Sequence, residues 1–297
     1  MSDADHAPAL EAVTRSRRSR WVCPPLMLAL VLAIVPQAAA RVLPRCPLYR
    51  AASVTGHVTG LSSIREISGV VASRRYRKTL WVEQDGGNPE RIDAIRPDGS
   101  ARASIPVTNA QNHDWEDIAF WDHRVWIGDI GDNGRRRASV AAYWFREPGL
   151  SARSVSAKMV TLTYPDGAHN AEAMFVTGGH LYIVSKEKTL ETGTVYRADV
   201  SPLRDGANRA MQRVTDVAIG NISAADVGER GIVIRNYRHA LLYPWRSDHR
   251  VATALAGTPC DVEVGPGAES VAFATWNRSM YSIPEGTSPP VYVNRPS

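Results

Sequence analysis

Beyond residue 40 the apolar residues of this chain fall in short runs broken by turn residues, and one pattern of these runs recurs. An acidic residue opens a short apolar strand, a turn follows, and a second apolar strand ends in polar residues. The pattern reads Glu66-Ile67-Ser68-Gly69-Val70-Val71, then Thr79-Leu80-Trp81-Val82-Glu83-Gln84-Asp85. It returns as Glu116-Asp117-Ile118-Ala119-Phe120 with Val125-Trp126-Ile127-Gly128-Asp129, and as Glu172-Ala173-Met174-Phe175-Val176 with Leu181-Tyr182-Ile183-Val184-Ser185-Lys186. A looser copy has Asp226-Val227 with Gly231-Ile232-Val233-Ile234-Arg235-Asn236. The last has Glu269-Ser270-Val271-Ala272-Phe273 with Ser279-Met280-Tyr281-Ser282-Ile283 and Glu285. Turn dipeptides such as Asp98-Gly99, Asp166-Gly167 and Asp205-Gly206 punctuate the strands. Helical periodicity is nearly absent, with residues 207–213 the one stretch that suits a helical turn.

The opening acids lie 50, 56, 54 and 43 residues apart, the length of a four-stranded propeller blade with its loops. Each interval also holds outer-strand candidates: 91–95 and 101–107, 141–146 and 158–164, 194–198 and 212–219, 240–245 and 251–256. The fifth copy has only residues 291–293 before the chain ends, and 51–59 is an unassigned strand-like segment. A propeller must close its ring, so the expected fold is all-β. It is a single β-propeller of four-stranded blades with five visible repeats, closed by an N-terminal strand. Six blades with one degenerate repeat is the alternative. A β-sandwich would not give a regular repeat with an acid at each start.

The N-terminus has its own pattern. Arg15-Ser16-Arg17-Arg18-Ser19-Arg20 precedes an apolar run over residues 26–35, and Pro36-Gln37-Ala38-Ala39-Ala40 follows. These are the parts of a signal peptide, expected over residues 1–40, with the propeller domain over 41–297. The run is too short for a comfortable membrane span, so the expected location is secreted or on the cell-envelope exterior, with no span after leader removal. Of the three cysteines, Cys46 and Cys260 follow the leader. In an oxidising compartment they are natural disulfide partners.

Composition narrows the function classes. Of 297 residues, 44% are hydrophobic and 22% charged, which suits a folded core. Net charge is +5, and only four of the 35 basic residues are Lys. The basic runs are short and lie in predicted turns, so nucleic-acid binding is not expected. No phosphate loop, Gly-x-Ser-x-Gly elbow or His-Glu-x-x-His motif is present.

Two runs, Asn112-His113-Asp114-Trp115-Glu116-Asp117-Ile118-Ala119 and Gly128-Asp129-Ile130-Gly131-Asp132-Asn133, resemble an uncharacterised family of secreted bacterial β-propeller proteins. Tyr164-Pro165-Asp166-Gly167, His169-Asn170-Ala171-Glu172-Ala173 and Pro284-Glu285-Gly286 extend the resemblance over most of residues 60–286. More distantly, the layout is similar to calcium-dependent propeller hydrolases of the gluconolactonase, senescence-marker and phosphotriesterase kind. That similarity implies an acid, an Asn and an Asp from different blades on a metal at the central channel.

Geometry concentrates the candidates. In each blade the start of the first strand and the end of the second share one rim. Metal-ligand candidates there are Glu66, Asp114, Glu116, Asp129, Asp132, Asn133, Asn170, Glu172 and Glu269, with Gln84, Asp85, Asp226, Asn236 and Glu285 in the same clusters. Hard oxygen donors drawn from separate blades suit calcium better than zinc. Catalytic candidates are His113 and His169 as general bases, with Lys186 and Arg235 stabilising negative charge. Each has a plain structural alternative. The repeated acids could bind a neighbouring blade's N–H groups, residues 128–133 could be a turn, and Lys186 could pair with Glu172. The functional expectation is a calcium-dependent hydrolase of an ester, lactone or phosphoester. The alternative is a non-catalytic module binding a small molecule or protein at the rim, in either case as a monomer.

Overall fold

A computed structural model describes residues 43–61, 64–186 and 192–297, so the expected leader lies outside the described residues. The chain begins with β1 (Ser53–His57) and the first-blade strands β2 (Ile67–Ala72), β3 (Leu80–Gln84), β4 (Arg91–Ile95) and β5 (Ala101–Thr108). The second blade has β6 (Trp115–Trp121), β7 (Arg124–Asp129), β8 (Val140–Arg146) and β10 (Lys158–Thr163), while the short β9 (Val155–Ser156) between the last two pairs with β5 of the first blade. The third has β11 (Ala171–Thr177), β12 (His180–Ser185), β13 (Gly193–Asp199) and β15 (Gln212–Val217), with β14 (Ala207–Ala210) between the last two in sequence only. The fourth has β16 (Ile222–Gly228), β17 (Gly231–Asn236), β18 (Ala240–Pro244), helix α1 (Val251–Leu255) and β19 (Cys260–Val262). The fifth has β20 (Ala272–Phe273), β21 (Met280–Ser282) and β22 (Pro290–Asn294).

These strands form five sheets, a five-bladed propeller. Inner strands read as continuous apolar runs because both faces are covered: all residues of β2 and β3 are buried. Outer strands alternate, as β5 does from Ile105 onward. The core is divided among the blade interfaces. Trp126, Met174 and Tyr196 pack together between the second and third blades, and Trp81, Trp115 and Tyr143 between the first and second. Among the described residues no helix is long and apolar enough to cross a membrane.

The ring closes as expected from the sequence. β1 pairs antiparallel with β22, Ser53 against Val293 and His57 against Pro290, and becomes the outermost strand of the last blade. Cys46 and Cys260 form a disulfide with their Cα atoms 4.6 Å apart. It ties the segment leading into β1 to β19 of the adjacent blade. Asn294 Nδ2 adds bonds to the carbonyls of Arg50 and Glu263, at 3.0 and 2.7 Å.

Two expectations are corrected. Residues 251–256 hold helix α1, not the fourth strand, because Val251, Ala254 and Leu255 have the i, i+3, i+4 spacing that buries one helical face. The edge of β18 is instead filled by β19. Residues 207–213 are extended, since β14 runs parallel along β10 and extends the second blade.

The inner strands of four blades share a β-bulge one residue in, at Ser68, Glu116, Glu172 and Ser223. This register shows that the repeated acids are not all equivalent. Glu116 and Glu172 correspond, whereas Glu66 stands two residues before its bulge. Asp226 stands three residues beyond its bulge, so it lies down the channel and not at the rim. Its carboxylate accepts the N–H of Val227 at 2.8 Å and of Phe273, on the next blade, at 2.7 Å. Asp117 does the same across three blades. One oxygen accepts the Ile118 N–H at 2.9 Å; the other accepts Met174 N–H at 2.8 Å and Ala225 N–H at 3.2 Å. The N–H-binding role open to the repeated acids thus falls to Asp226 and to Asp117, which the repeat did not select.

Replacing both Cys46 and Cys260 by Ala should lower stability by up to about 4–5 kcal/mol on loop-closure grounds, read from urea unfolding. Thiol titration of the denatured, unreduced parent should find neither cysteine free. Asp117→Asn turns one acceptor oxygen into a donor facing backbone N–H groups. We expect a loss of about 2–3 kcal/mol in the same assay; a neutral result would show that the carboxylate does not hold the blades.

Candidate functional site

Antiparallel pairing brings the starts of β2, β6, β11 and β16 and the ends of β3, β7, β12 and β17 to one mouth of the channel. Asp85, Asp114 and Glu116 meet there, each offering an oxygen within 4.8 Å of the others. Glycine makes this approach possible. A Cβ at Gly131 would stand 2.2 Å from Glu116 Oε1 and 2.4 Å from Asp114 Oδ2, and one at Gly86 would stand 2.5 Å from Asp114 Oδ1. A methyl group at either position would displace these carboxylates from where they stand.

Next to this trio, Glu172 holds Lys186 Nζ with both oxygens, at 2.6 and 2.5 Å, and Lys186 also donates to Tyr237 Oη at 3.0 Å. Glu269 hydrogen-bonds Tyr237 and Glu285, closing the arc on the far side. Asp85, Lys186 and Tyr237 occupy one register position, the first residue after the second strand of their blades.

The other predicted residues serve the walls. Asp129 is buried and accepts from Asp114 N–H and from Arg137 Nη1, at 3.1 and 2.9 Å. Its second oxygen faces His113 Nδ1 at 3.3 Å, with that imidazole 62% exposed. Asp132 accepts the Arg137 N–H at 2.7 Å, and its own N–H donates to Asn170 Oδ1 at 2.7 Å. Asn170 Nδ2 donates to Asn133 Oδ1 at 3.2 Å and reaches Glu172 at 3.4 Å. Gly128 and Asp129 end β7, and the loop from Ile130 onward delivers Gly131 to the acids. Glu66 accepts from Asn88 Nδ2 at 2.8 Å. His169 lies apart from the trio, bonded to Asp166 at 2.9 Å and Tyr196 Oη at 3.0 Å, with its ring against Tyr164. Arg235 is fully buried and spends its N–H groups on the carbonyls of Asn236, Ser270 and Gly265.

Crowded carboxyls resist ionisation. Burial pushes Glu116 well above the carboxylate range, and the charges of Glu172, Asp85 and Asp114 push the same way. Burial and the charge of Asp85 lift Asp114 to about 6 against the pull of Arg137. Below them Glu83, buried over Gly69, is lifted to about 8, by burial first and then by Asp85. Burial works to discharge Lys186, but the Glu172 carboxylate outweighs it and holds the ammonium charged. Lys186 can therefore stabilise negative charge but cannot act as a base.

Sequence reasoning did not single out Tyr237, Glu83 or Gly131. Counting from the bulge rather than from the acids would have found Tyr237, the register partner of Lys186.

No family model and no curated protein matches the chain. Among solved structures it is similar to glutaminyl cyclase of Myxococcus xanthus, with 10% identity, 85% of this chain and 99% of that one covered, and a TM-score of 0.50. It is also similar to an auxiliary nutrient binding protein of Bacteroides thetaiotaomicron, with 9% identity, 82% and 76% covered, and a TM-score of 0.45. At such identity the likeness is one of fold.

The pKa shifts set a pH dependence. Asp114 and Glu83 hold protons in the folded chain that they lose near pH 4 when unfolded, so the folded state binds more protons. Stability in chelator is then greatest at low pH and falls as pH rises through about 6 to 8. We expect a higher melting temperature at pH 5 than at pH 8, and Asp114→Asn should shrink the difference. A melting temperature that rises from pH 5 to pH 8 would contradict this electrostatic picture.

Proposed function

We propose that this protein is an exported propeller whose channel mouth binds a divalent cation, with calcium as the ion, and hydrolyses an ester, lactone or phosphoester. The observation that carries the reading is the convergence of Asp85, Asp114 and Glu116 within 4.8 Å. The donor set is all hard oxygen and drawn from two blades, as calcium's loose geometry favours. Gly86 and Gly131 put no side chain of their own against the acids. Bound there, calcium would supply Lewis-acid polarisation of a substrate oxygen.

The chain's own groups have the remaining roles. Asp129 faces His113 Nδ1 and orients the ring, leaving Nε2 as the atom that accepts a proton from water. Lys186, kept charged by Glu172, faces the same mouth and stabilises a developing oxyanion. In this reading His169, bonded to Asp166 and Tyr196, and Arg235, bonded to backbone carbonyls, hold the wall. The Cys46–Cys260 disulfide supports export to an oxidising compartment.

The test compares melting with calcium and with chelator. The parent should gain stability with calcium. Glu116→Gln should lose that gain while keeping its chelated stability, since removing one of several crowded carboxylates relieves repulsion. Gly131→Ala should also lose the gain, with every carboxylate retained. If Glu116→Gln instead costs on the order of 1–3 kcal/mol in chelator and calcium stabilises neither protein, the acids are structural and the cation reading fails. With calcium bound, an ester and lactone panel then separates hydrolysis from binding alone. His113→Gln should cut turnover by about 100-fold or more and leave the calcium shift in place.

A further inference from the structure

The opposite face of the propeller carries the reverse charge. Each inner pair of strands turns there, so the turn after β2 presents Arg74, Arg75, Arg77 and Lys78. Arg124 follows β6, Arg230 follows β16 and Arg278 follows β20, against only Asp122 and Glu229 in the same turns. A cavity of about 210 Å³ opens on this face where the fourth, fifth and first blades meet. Tyr49, Arg74, Arg230, Phe273 and Arg278 line it, with Glu229 the one acid among the described residues of its wall.

Its three guanidinium groups differ in how they are held. Arg230 donates to the Leu48 carbonyl at 2.7 Å and lies 5.0 Å over the Tyr49 ring, which fixes its position. Arg278 has an ion pair only at 3.5 Å, with the exposed Glu229. Arg74 lies 5.6 Å over the Phe120 ring, and its Nη1 is buried without a hydrogen-bond partner. The charge of Asp226 reaches it, but both Asp226 oxygens are taken by Phe273 and Val227 N–H groups. Arg74 Nη1 is closed off from the cavity as well, so the case rests on the lining: three guanidinium groups share one cavity, and an anion is the group that would balance them.

We propose that this cavity binds a small organic anion, with its charged head among Arg74, Arg230 and Arg278 and its apolar body between Tyr49 and Phe273. The size fits, because a cavity of roughly 150 Å³ holds benzene and this one leaves room for a head group as well. The site is independent of the channel mouth, and its ligand is recognised by chemistry opposite to that of a cation.

Calorimetric titration of the protein with phenyl phosphate and with benzoate tests this, with inorganic phosphate and benzyl alcohol as controls. We expect one equivalent of at least one aromatic anion to saturate the protein, with both controls at least about tenfold weaker. Arg74→Gln and Arg278→Gln should each weaken that binding by about tenfold or more. Glu116→Gln, at the other end of the channel, should leave it unchanged. Arg278 is exposed, so its variant serves if Arg74→Gln does not fold. The proposal is overturned if neither aromatic anion saturates below about 10 mM, if inorganic phosphate binds as well as phenyl phosphate, or if Arg278→Gln leaves the affinity unchanged.

Discussion

Five inner strands must approach one axis, and their backbone N–H groups near that axis need acceptors that no β-ladder supplies. Asp117 answers this constraint for three blades at once, with Ile118, Met174 and Ala225 as donors. Asp226 answers it between the fourth and fifth blades, and Ser68 Oγ, donating to the Glu116 carbonyl at 2.7 Å, links the first to the second. Blade packing is non-directional and tolerates small rotations. These bonds are directional, and they fix how each blade stands against its neighbour. The rest of the molecule inherits its geometry from that alignment, including which residues reach the mouth.

The same crowding explains the electrostatics. Cross-strand pairs near the axis alternate carboxyl and glycine: Glu83 stands opposite Gly69, and Asp117 opposite Gly128. A Cβ at Gly69 would stand 2.5 Å from Glu83 Oε1, so that pair has room for its acid alone. Above that level the bulge residues Glu116 and Glu172 add further carboxyls, and only one is directly neutralised, by Lys186. Burial and mutual repulsion then raise the carboxyl pKa values together, because protons are the smallest counter-charge at hand.

Most of the fold was legible because its signals are local and periodic. Apolar runs, turn dipeptides and the blade-length repeat gave five blades, and the shortage of a last strand pointed to residues 51–59 as the closure. The site was legible in outline, since rim positions follow from antiparallel pairing alone. Its detail was not. Aligning repeats on their acids treated Glu66 and Asp226 as counterparts of Glu116, whereas the bulge sets the true register. A bulge has no single residue type: Ser68 and Ser223 fill it in two blades, Glu116 and Glu172 in two others. Helix α1 was missed because Val251, Ala254 and Leu255 span barely more than one turn, where helical and strand periods are hard to tell apart. Tyr237 and Gly131 matter only through what stands beside them, and single-residue chemistry does not reveal that.

The channel also separates the two ends of the molecule. An acidic mouth and an arginine-rich face attract each other more strongly through a low-dielectric interior than through water or salt filling the space between them. Here the space holds Asp117, Glu83 and Asp226, all buried, with Asp117 and Asp226 bonded to backbone N–H groups. Arg74 lies close enough to lower the Asp226 carboxyl, which burial nonetheless holds at about 6. The positive face therefore meets a carboxyl that is already bonded and only partly available as a counter-charge. A carboxylate that spends both oxygens holding two blades together cannot turn to pair with a guanidinium without loosening the ring. Blade alignment and the unmet charge of Arg74 are in this sense one constraint, imposed where five strands share an axis.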